Sequence, residues 1–373
     1  MNFKIAKREF LNALNLSNRA ISTNTPLPSL TGIKIVVSSD CLTLISSDSN
    51  ISIKTSIRNS DDSNTLYVEE EGEIIIDAKY LSDIVRKLDD DLISFETIDG
   101  TLIRICTGNS EYKINGMRAF EYPEINFEVN TLSPFTLDTV LFSEIIEQTA
   151  FACSDKETRP VLTGVNFRAE DFHLYANATD SYRLASKTIE LDRDLRFNIT
   201  VPAKYLLEVY HSISNEKEVT LSIDSQKIAF SFGDSVIITR LLDDIFPDTS
   251  RLIPAAFSQT VTVDTRKFLN VIDKCSFIKS DGKNIVKLTI DQEKLSVHSL
   301  NQAVSLNDDM DVLSFTGAPI EISCSGKYLE DAVKAFKSDE ITMCFSGELK
   351  PIILKKEGDD HLIQLISPVR TYR

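Results

Sequence analysis

Residues Ile76–Leu88 read IDAKYLSDIVRKL, and the same thirteen-residue pattern occurs twice more in the chain. The copies are VPAKYLLEVYHSI at Val201–Ile213 and CSGKYLEDAVKAF at Cys324–Phe336. In each copy a Lys-Tyr-Leu triplet opens a run of apolar positions at i, i+1, i+4, i+5 and i+8. This spacing predicts a helix that buries one face.

The distance between the copies predicts the domain organisation. Lys79, Lys204 and Lys327 are separated by 125 and 123 residues, which is the size of a domain rather than of a solenoid repeat. Proline-bearing marks at Tyr122–Glu124 and Phe246–Asp248 have a similar separation. We therefore expect three tandem domains with short connections, at residues 1–128, 129–254 and 255–373.

The rest of each copy predicts an α+β fold. A second helix begins near Lys7, Thr139 and Thr265 in the respective copies, and the segments between the helices alternate apolar and polar residues as strands do. Two helices that cover antiparallel sheets are the expected arrangement of one copy.

The charge of the chain is strongly negative but unevenly distributed. There are 40 Lys and Arg against 56 Asp and Glu, a net charge of −16, which by itself argues against nucleic acid as a partner. The six predicted helices hold 14 basic and 8 acidic residues, whereas the remainder holds 26 and 48. Positive charge is thus concentrated on helices, although ordinary solvated helix faces would also explain it. These helices are expected at residues 6–20, 78–88, 139–152, 203–213, 265–279 and 326–337.

The apolar stretches and the cysteines of the sequence indicate its compartment. The N-terminal stretch is charged, and no stretch approaches the roughly 18 apolar residues that span a bilayer. The six cysteines show no paired short spacing and lie mostly among apolar residues, as reduced buried thiols do. We expect a cytoplasmic protein without a membrane partner.

The sequence shows little that predicts catalysis. Its four histidines lack metal-binding spacing, and neither a phosphate-binding loop nor a dinucleotide motif occurs. The acidic runs at Asp89–Asp91 and Asp308–Asp311 could bind a divalent cation, but acidic residues in solvated turns are the better explanation. We expect no enzyme, no cofactor and no resident metal; a hydrolase with an unrecognised site is the weakest alternative.

Two stretches are too apolar or too particular for ordinary surface. HLIQLISPVRTYR carries apolar residues almost to the chain end, where termini are usually polar. TDSYRLA at Thr179–Ala185 places a tyrosine and an arginine on a predicted turn, and Arg251–Leu252 follows the second proline mark. An apolar groove between the second and third domains is one interpretation; a tail that pairs as the last strand is the other, and both can hold.

These motifs, in this order, resemble the bacterial DNA polymerase III β subunit family, the sliding clamps. The resemblance covers the whole chain: the three repeats, TPLPSLTGIKI from Thr25, ATDSYRLA from Ala178, DDIFPDTSRLIP from Asp243 and SPVR from Ser367. It implies three copies of the DNA-clamp fold and a head-to-tail homodimer that closes as a ring of six domains. Duplex DNA would pass through the ring without sequence-specific contacts, held by topology rather than by tight phosphate contacts.

The resemblance also implies three sets of site residues. The residues expected to face DNA are Lys7, Arg19, Asn24, Lys79, Arg86, Lys204, Arg266, Lys267, Lys274 and Lys334. The residues expected to form a groove for partner peptides are Arg159, Leu162, Thr179, Tyr182, Arg183, Leu184, Pro247, Arg251, Leu252, Tyr328, Ile366, Ser367, Pro368, Val369 and Arg370. The residues expected at the dimer seam are Tyr112 and Ile114 on one copy and Phe277 and Ile278 on the other.

The implied groove is an apolar slot with arginine at its rim, suited to a short peptide that bears Leu or Phe. Its partners would be the polymerase III catalytic subunit, the clamp loader and other proteins with a clamp-binding motif. Two departures from the family pattern stand out. Ser181-Tyr182 occupies a place where Gly-His is common, and Asn24 a place where an arginine often contacts DNA. The alternative function is a scaffold of three α+β domains that binds peptides without encircling DNA.

Overall fold

A computed structural model describes residues 1–22, 24–59, 65–130, 134–254 and 256–370. The chain forms two compact units. The first unit contains Met1–Phe142 and Glu208–Leu241, and the second contains Ser143–Leu207 and Leu242–Arg373. The second sequence repeat therefore contributes to both units.

The three repeats have closely related element orders, each with a helix near its start and a helix near its middle. The first repeat consists of β1 Asn2–Ala6, α1 Lys7–Ser17, β2 Gly32–Val37, β3 Cys41–Ser47, β4 Ile51–Arg58, β5 Leu66–Glu70, β6 Gly72–Asp77, α2 Ala78–Lys87, β7 Leu92–Asp99, β8 Leu102–Thr107 and β9 Ser110–Asn115. The second consists of β10 Phe135–Asp138, α3 Thr139–Thr149, β11 Gly164–Glu170, β12 His173–Thr179, β13 Arg183–Glu190, β14 Phe197–Pro202, α4 Ala203–Ser212, β15 Glu218–Ile223, β16 Lys227–Phe232 and β17 Ser235–Arg240. The third consists of β18 Gln259–Asp264, α5 Thr265–Cys275, β19 Ile285–Ile290, β20 Lys294–Leu300, β21 Ser305–Asp311, β22 Ser314–Thr316, β23 Ile320–Ser325, α6 Gly326–Lys334, β24 Glu340–Phe345, β25 Ile352–Lys356 and β26 Asp359–Ile366. The predicted order of helix, strands, helix, strands is confirmed.

Two of the sheets extend across the boundaries between sequence repeats. The first unit has a five-stranded sheet, β5-β1-β7-β8-β9, and an eight-stranded sheet, β10-β15-β16-β17-β4-β3-β2-β6, in which strands of the second repeat pair with strands of the first. The join is the antiparallel pair β17–β4, with Ile237 opposite Ile53.

The second unit repeats this arrangement. Its nine-stranded sheet runs β14-β11-β12-β13-β26-β25-β24-β18-β22 and joins the second repeat to the third at β13–β26, with Leu184 opposite Leu365. A four-stranded sheet, β21-β20-β19-β23, completes the unit. The apolar C-terminal stretch therefore pairs as the last strand, as one of the two interpretations of the sequence had it.

Capping residues explain where several helices begin. Asp77 accepts a hydrogen bond from the Tyr80 amide at 3.0 Å, and Asp264 accepts one from the Lys267 amide at 2.8 Å. Ser325 receives the Tyr328 amide at 3.3 Å. Each side chain satisfies a backbone donor that the first helical turn leaves unpaired.

The helices bury one face on a core that also receives both sheets. In the first unit, Phe3 and Phe95 stack with ring centroids 4.8 Å apart, and Phe10 from α1 meets Phe95 edge to face at 5.1 Å. Leu81 and Val85 from α2 are fully buried in the same cluster. An analogous cluster lies under α5 and α6 in the second unit.

Two details of the predicted helices are wrong. Tyr80 was expected in the buried stripe of α2, but its side chain is 62 % exposed, whereas Tyr205 at the matching position of α4 is buried. The helix that was expected to reach Lys279 ends at Cys275. Among the described residues, no helix has the length and apolar character that crossing a membrane would require.

Candidate functional site

The residues expected to form the peptide groove all lie in the second unit. Five segments supply them: the 3-10 turn Pro160–Thr163 with Arg159 before it, the β12–β13 turn with the strand ends beside it, the segment 247–252 with its 3-10 turn Ser250–Leu252, helix α6, and the end of β26 with the chain that follows it. The structure brings the β12–β13 turn, α6 and the end of β26 into direct contact.

The β12–β13 turn is held by its own side chains. The Asp180 carboxylate accepts hydrogen bonds from the amides of Tyr182 at 2.8 Å and Arg183 at 3.0 Å. The Thr179 hydroxyl accepts from the Ser181 amide at 3.1 Å and donates to the Arg183 carbonyl at 2.5 Å. This network fixes a tight turn that leaves the Tyr182 side chain 65 % exposed.

Ser181 occupies the left-handed region, with φ of 78°. A side chain there costs about 1–2 kcal/mol, whereas glycine adopts the conformation freely. The backbone therefore explains why glycine is common at this place in the family that the sequence resembles.

Replacing Ser181 by glycine is expected to raise the free energy of unfolding by about 0.5–1 kcal/mol, because relief of the strained φ exceeds the entropy that glycine adds to the unfolded chain. Thermal unfolding measures the change. Ser225→Gly is the control: Ser225 is an exposed turn residue without a positive φ, so the same substitution there is expected to destabilise. Equal effects at both positions would contradict the assignment of strain to Ser181.

Arg183 is the centre of the groove's polar structure. Its Nε donates to Asp180 at 3.0 Å and its Nη1 to Asp331 at 2.9 Å. Its guanidinium lies 4.4 Å from the centroid of the Tyr328 ring and 5.5 Å from that of Phe151. The Arg183 side chain is only 12 % exposed. Two carboxylates and two aromatic rings thus lie close to the guanidinium.

This burial corrects one expectation about the groove. Arginine was expected at the groove's rim, but Arg183 is nearly buried and two of its N–H groups donate to carboxylates. Arg251 is far more accessible: its side chain is 90 % exposed and lies 3.7 Å from Asp248. Leu162, Thr179, Leu184 and Ile366 are likewise buried and can supply only the wall behind a ligand.

The chain after β26 runs along the groove. The Ser367 amide donates to the Tyr182 carbonyl at 2.8 Å, and the Val369 amide donates to the Ser323 carbonyl at 2.8 Å. Pro368 and Val369 are therefore held beside the turn, half-buried. These two hydrogen bonds give an apolar tail a fixed course where a frayed terminus would be usual.

The segment at 246–252 has its own fixed geometry. The Ser250 hydroxyl donates to the Asp248 carboxylate at 2.6 Å, which lowers the pKa of that carboxyl. The segment also covers a polar pocket of about 610 Å³ against β11–β13. The exposed Pro247 and Leu252 border this region, and their membership of the groove, like that of Arg159 and Arg370, stays a prediction.

Sequence reasoning missed the residues that hold Arg183 in place. Asp331 lies on α6 three residues after Tyr328, on the same helix face, and this spacing was the only signal available. Lys327 donates to Asp331 at 2.8 Å, which raises the pKa of the lysine. Burial raises the pKa of Tyr328 and, to about 12, that of Cys153, although the Arg183 charge acts in the opposite direction on the thiol.

The residues expected to face DNA differ in how free they are. Lys79, Lys204, Arg266 and Lys267 are exposed on helix surfaces. Arg19 instead pairs with Glu208 at 3.0 Å and is partly buried, and the Lys7 ammonium donates to the Leu88 carbonyl at the end of α2. Other members of the set are exposed but partnered: Lys274 contacts Asp308 at 2.6 Å, Lys334 contacts Glu330 at 2.5 Å, and Arg86 donates to Asn15 at 3.3 Å. Asn24 is exposed, and its amide donates to the Ser22 hydroxyl at 3.3 Å.

The residues expected at the dimer seam also differ in exposure. Tyr112 and Ile114 lie on β9, an edge strand of the five-stranded sheet. Phe277 is 67 % exposed, whereas Ile278 is only 1 % exposed. Ile278 was expected to face a second copy, and that expectation is wrong: the chain turns after Cys275, and Asn284 donates to the carbonyls of Cys275 and Ile278.

The described residues contain no group of three or more His, Cys, Asp or Glu side chains placed to hold a metal ion. In the acidic run of β21, Asp309 pairs with Lys294 at 2.8 Å, and this hydrogen bond lowers the pKa of the carboxyl. Lysines thus neutralise part of the acidic run that was considered as a site for a divalent cation.

Comparison with known proteins gives a consistent result over the full length. Models of the DNA polymerase III beta subunit match in three consecutive stretches: its N-terminal domain at residues 1–126, its central domain at 136–248 and its C-terminal domain at 250–370. The beta sliding clamps of Bacillus subtilis and Staphylococcus aureus are 35 % and 34 % identical, with 100 % of each chain covered.

Solved structures agree with these matches. The DNA polymerase sliding clamp from Bacillus subtilis superposes with a TM-score of 0.96 at 34 % identity, covering 100 % of both chains. The beta subunit from DNA polymerase of Streptococcus pyogenes superposes with a TM-score of 0.94 at 32 % identity, again with 100 % of both chains covered.

Proposed function

Because this chain belongs to the DNA polymerase III beta subunit family, we propose that it is a DNA sliding clamp, a non-catalytic ring that tethers the replicative polymerase to duplex DNA. Two copies would join head to tail, and each would contribute three domains with limits near 1–128, 129–254 and 255–373. We place this activity in the cytoplasm, with the catalytic subunit, the clamp loader and other peptide-bearing replication proteins as partners.

The observation that carries the proposal is the separation of charge between helices and the rest of the chain. In a protein of net charge −16, Lys79, Lys204, Arg266 and Lys267 all stand exposed on helices. Helices of about 15 Å length can face phosphates without reaching base edges. The negative remainder of the surface repels DNA, so contact is confined to the helix faces.

The groove supports the second half of the proposal, the recruitment of partners. Tyr182 at 65 % exposure and Leu252 at 49 % exposure offer apolar surface, with Arg251 beside them. Arg183, Asp180 and Asp331 hold the groove's shape and do not themselves bind the ligand. Such a slot suits a short linear segment with an apolar side chain and an acidic or polar flank, bound in the micromolar range that permits exchange.

Reversing three helix lysines tests the DNA-facing role. The variant Lys79→Glu, Lys204→Glu, Lys267→Glu is expected to reduce primer extension on singly primed circular DNA at least tenfold at physiological salt, because each copy loses three phosphate contacts and gains three repulsions. The assay uses the cognate polymerase and clamp loader, and gel filtration of nicked circular DNA measures retained protein directly.

A control with the same change in charge separates contact from net repulsion. Lys217, Lys350 and Lys356 are exposed and lie outside the helix faces, so their reversal is expected to leave extension within about twofold of wild type. Equal loss in both triple variants would attribute the effect to net charge. Full extension by the helix variant would favour the peptide-binding scaffold that does not encircle DNA.

A further inference from the structure

A second pocket lies in the first unit, where the β3–β4 hairpin, the segment at 123–126 and strand β17 meet. Its volume is about 320 Å³, at the lower end of the range for ligand sites. Its lining comprises Leu27, Leu30, Ser47, Ser49, Asn50, Ser52, Pro123, Glu124, Ile125, Asn126, Lys227, Ile238, Thr239 and Arg240.

Much of the lining corresponds to residues expected in the peptide groove through the internal repeat. An offset of 132 residues relates Leu30 to Leu162 and Asn50 to Tyr182. Strand pairing extends the match, because Thr239 lies opposite Ile51 just as Ile366 lies opposite Arg183. The pocket is therefore the counterpart of the groove in the preceding pair of repeats.

The backbone geometry of the two turns is the same. Asp48 accepts from the amides of Asn50 at 2.9 Å and Ile51 at 2.8 Å, as Asp180 does in its own turn. Ser49 has φ of 80°, against 78° for Ser181. The Arg240 amide donates to the Asn50 carbonyl at 3.2 Å, the counterpart of the bond from Ser367 to Tyr182.

The side chains differ, and the difference sets the chemistry of the pocket. The buried Leu30 and Ile238 form an apolar floor, with Leu27 47 % exposed beside them. The buried Ile51 replaces Arg183, so the stacked arginine of the groove has no equivalent. The pocket instead has a cation at its edge, the exposed Arg240. Arg240 occupies the position that corresponds to Ser367 in the groove.

The segment at 123–126 is held in place as the pocket's outer wall. Lys227 donates to the carbonyls of Asn126 at 2.9 Å and Glu128 at 2.6 Å. Lys54 lies 5.5 Å from the centroid of the Phe127 ring. With Lys227 and Arg240 against Glu124, the charged lining favours an acidic ligand.

We propose that this pocket is a second peptide-binding site, which takes a short extended segment with an aliphatic side chain followed by an acidic residue. The aliphatic group lies on Leu27, Leu30 and Ile238, and the carboxylate meets the Arg240 guanidinium. This proposal rests on the proposed function only in taking the ligand to be a linear peptide. The shape and charge of the ligand follow from the residues that line the pocket.

Methyl-labelled NMR of the full-length chain tests the proposal with the probe N-acetyl-Gly-Leu-Asp-Gly-amide. Saturable shifts are expected at the methyl groups of Leu27 and Ile238. Arg240→Glu is expected to raise the dissociation constant for these shifts at least fivefold, and Arg251→Glu, which alters the groove alone, is expected to leave it unchanged. A probe with Lys in place of Asp is expected to bind at least fivefold more weakly.

Several outcomes would overturn the proposal: no saturable shift at Leu27 or Ile238, shifts that Arg240→Glu leaves unchanged, or shifts confined to Leu252 and Ile253 beside the groove. The two sites report on separate methyl groups. Failure of the second site is therefore distinguishable from failure of the groove.

Discussion

Arg183→Met is expected to lower the free energy of unfolding by about 3–5 kcal/mol, because it removes the cation that contacts the nearly buried Asp180 and leaves Asp331 with Lys327 alone. The side chains of Asp180 and Asp331 are 11 % and 17 % exposed, and Arg183 is the cation that both contact. The stacking of the guanidinium on Tyr328 and Phe151 is lost as well.

The measurement is the thermal midpoint, which such a loss lowers by about 6–20 °C in a unit of this size. Arg251→Met is the control, because an arginine that is 90 % exposed contributes at most about 0.5 kcal/mol to stability. Arg183→Lys keeps the charge but loses the fork and the stack, so its midpoint should lie between those of wild type and Arg183→Met.

Peptide binding separates the roles of the two arginines further. Arg251→Met is expected to weaken a groove peptide without changing the midpoint, whereas Arg183→Met is expected to weaken the peptide and lower the midpoint together. If Arg183→Met unfolds at the wild-type temperature, Arg183 does not hold the groove in shape.

Phe277→Asp is expected to convert a dimer into a monomer. The ring is 67 % exposed in the single chain, and buried aromatic residues at the centre of an interface commonly contribute 2–4 kcal/mol, about 30- to 1,000-fold in the dissociation constant. An aspartate at the same place adds a buried unpaired charge to that loss.

Light scattering measures the result as a mass near twice 41.8 kDa for wild type and near 41.8 kDa for the variant. Leu349→Asp is the matched control, since Leu349 has the same exposure of 67 % and is not a seam residue. Ile278 is unsuitable for this purpose: it is buried, so a charge there would unfold the chain locally. A wild-type monomer, or a dimeric Phe277→Asp variant, would remove Phe277 from the seam.

The parts of the fold that local pattern determines were predictable from the sequence. The apolar stripe and the alternating strands depend on neighbours within about one turn of chain, and the structure has them where they were expected, apart from the exposed Tyr80. The failures lie at helix ends. The helix expected to reach Lys279 stops at Cys275 as α5, and Ile278 turns inward beyond its end.

What the sequence could not supply is long-range pairing. The contact of Arg183 with Asp331 joins residues 148 positions apart, and no periodicity connects them. The same holds for the join between β4 and β17, since the register of an inter-repeat strand pair depends on edges that each repeat presents to another. The groove's apolar members were therefore foreseeable from the motif, but the buried role of its arginine was not.

A single sequence repeat does not complete the hydrogen bonding of its own strands. β4 completes its hydrogen bonding on β17, and β13 completes its own on β26. A single copy excised at its sequence boundary would carry ISIKTSIR as a bare, half-apolar edge strand, a template for pairing with any other chain. The next repeat of the same chain therefore protects that edge as well as extending the sheet.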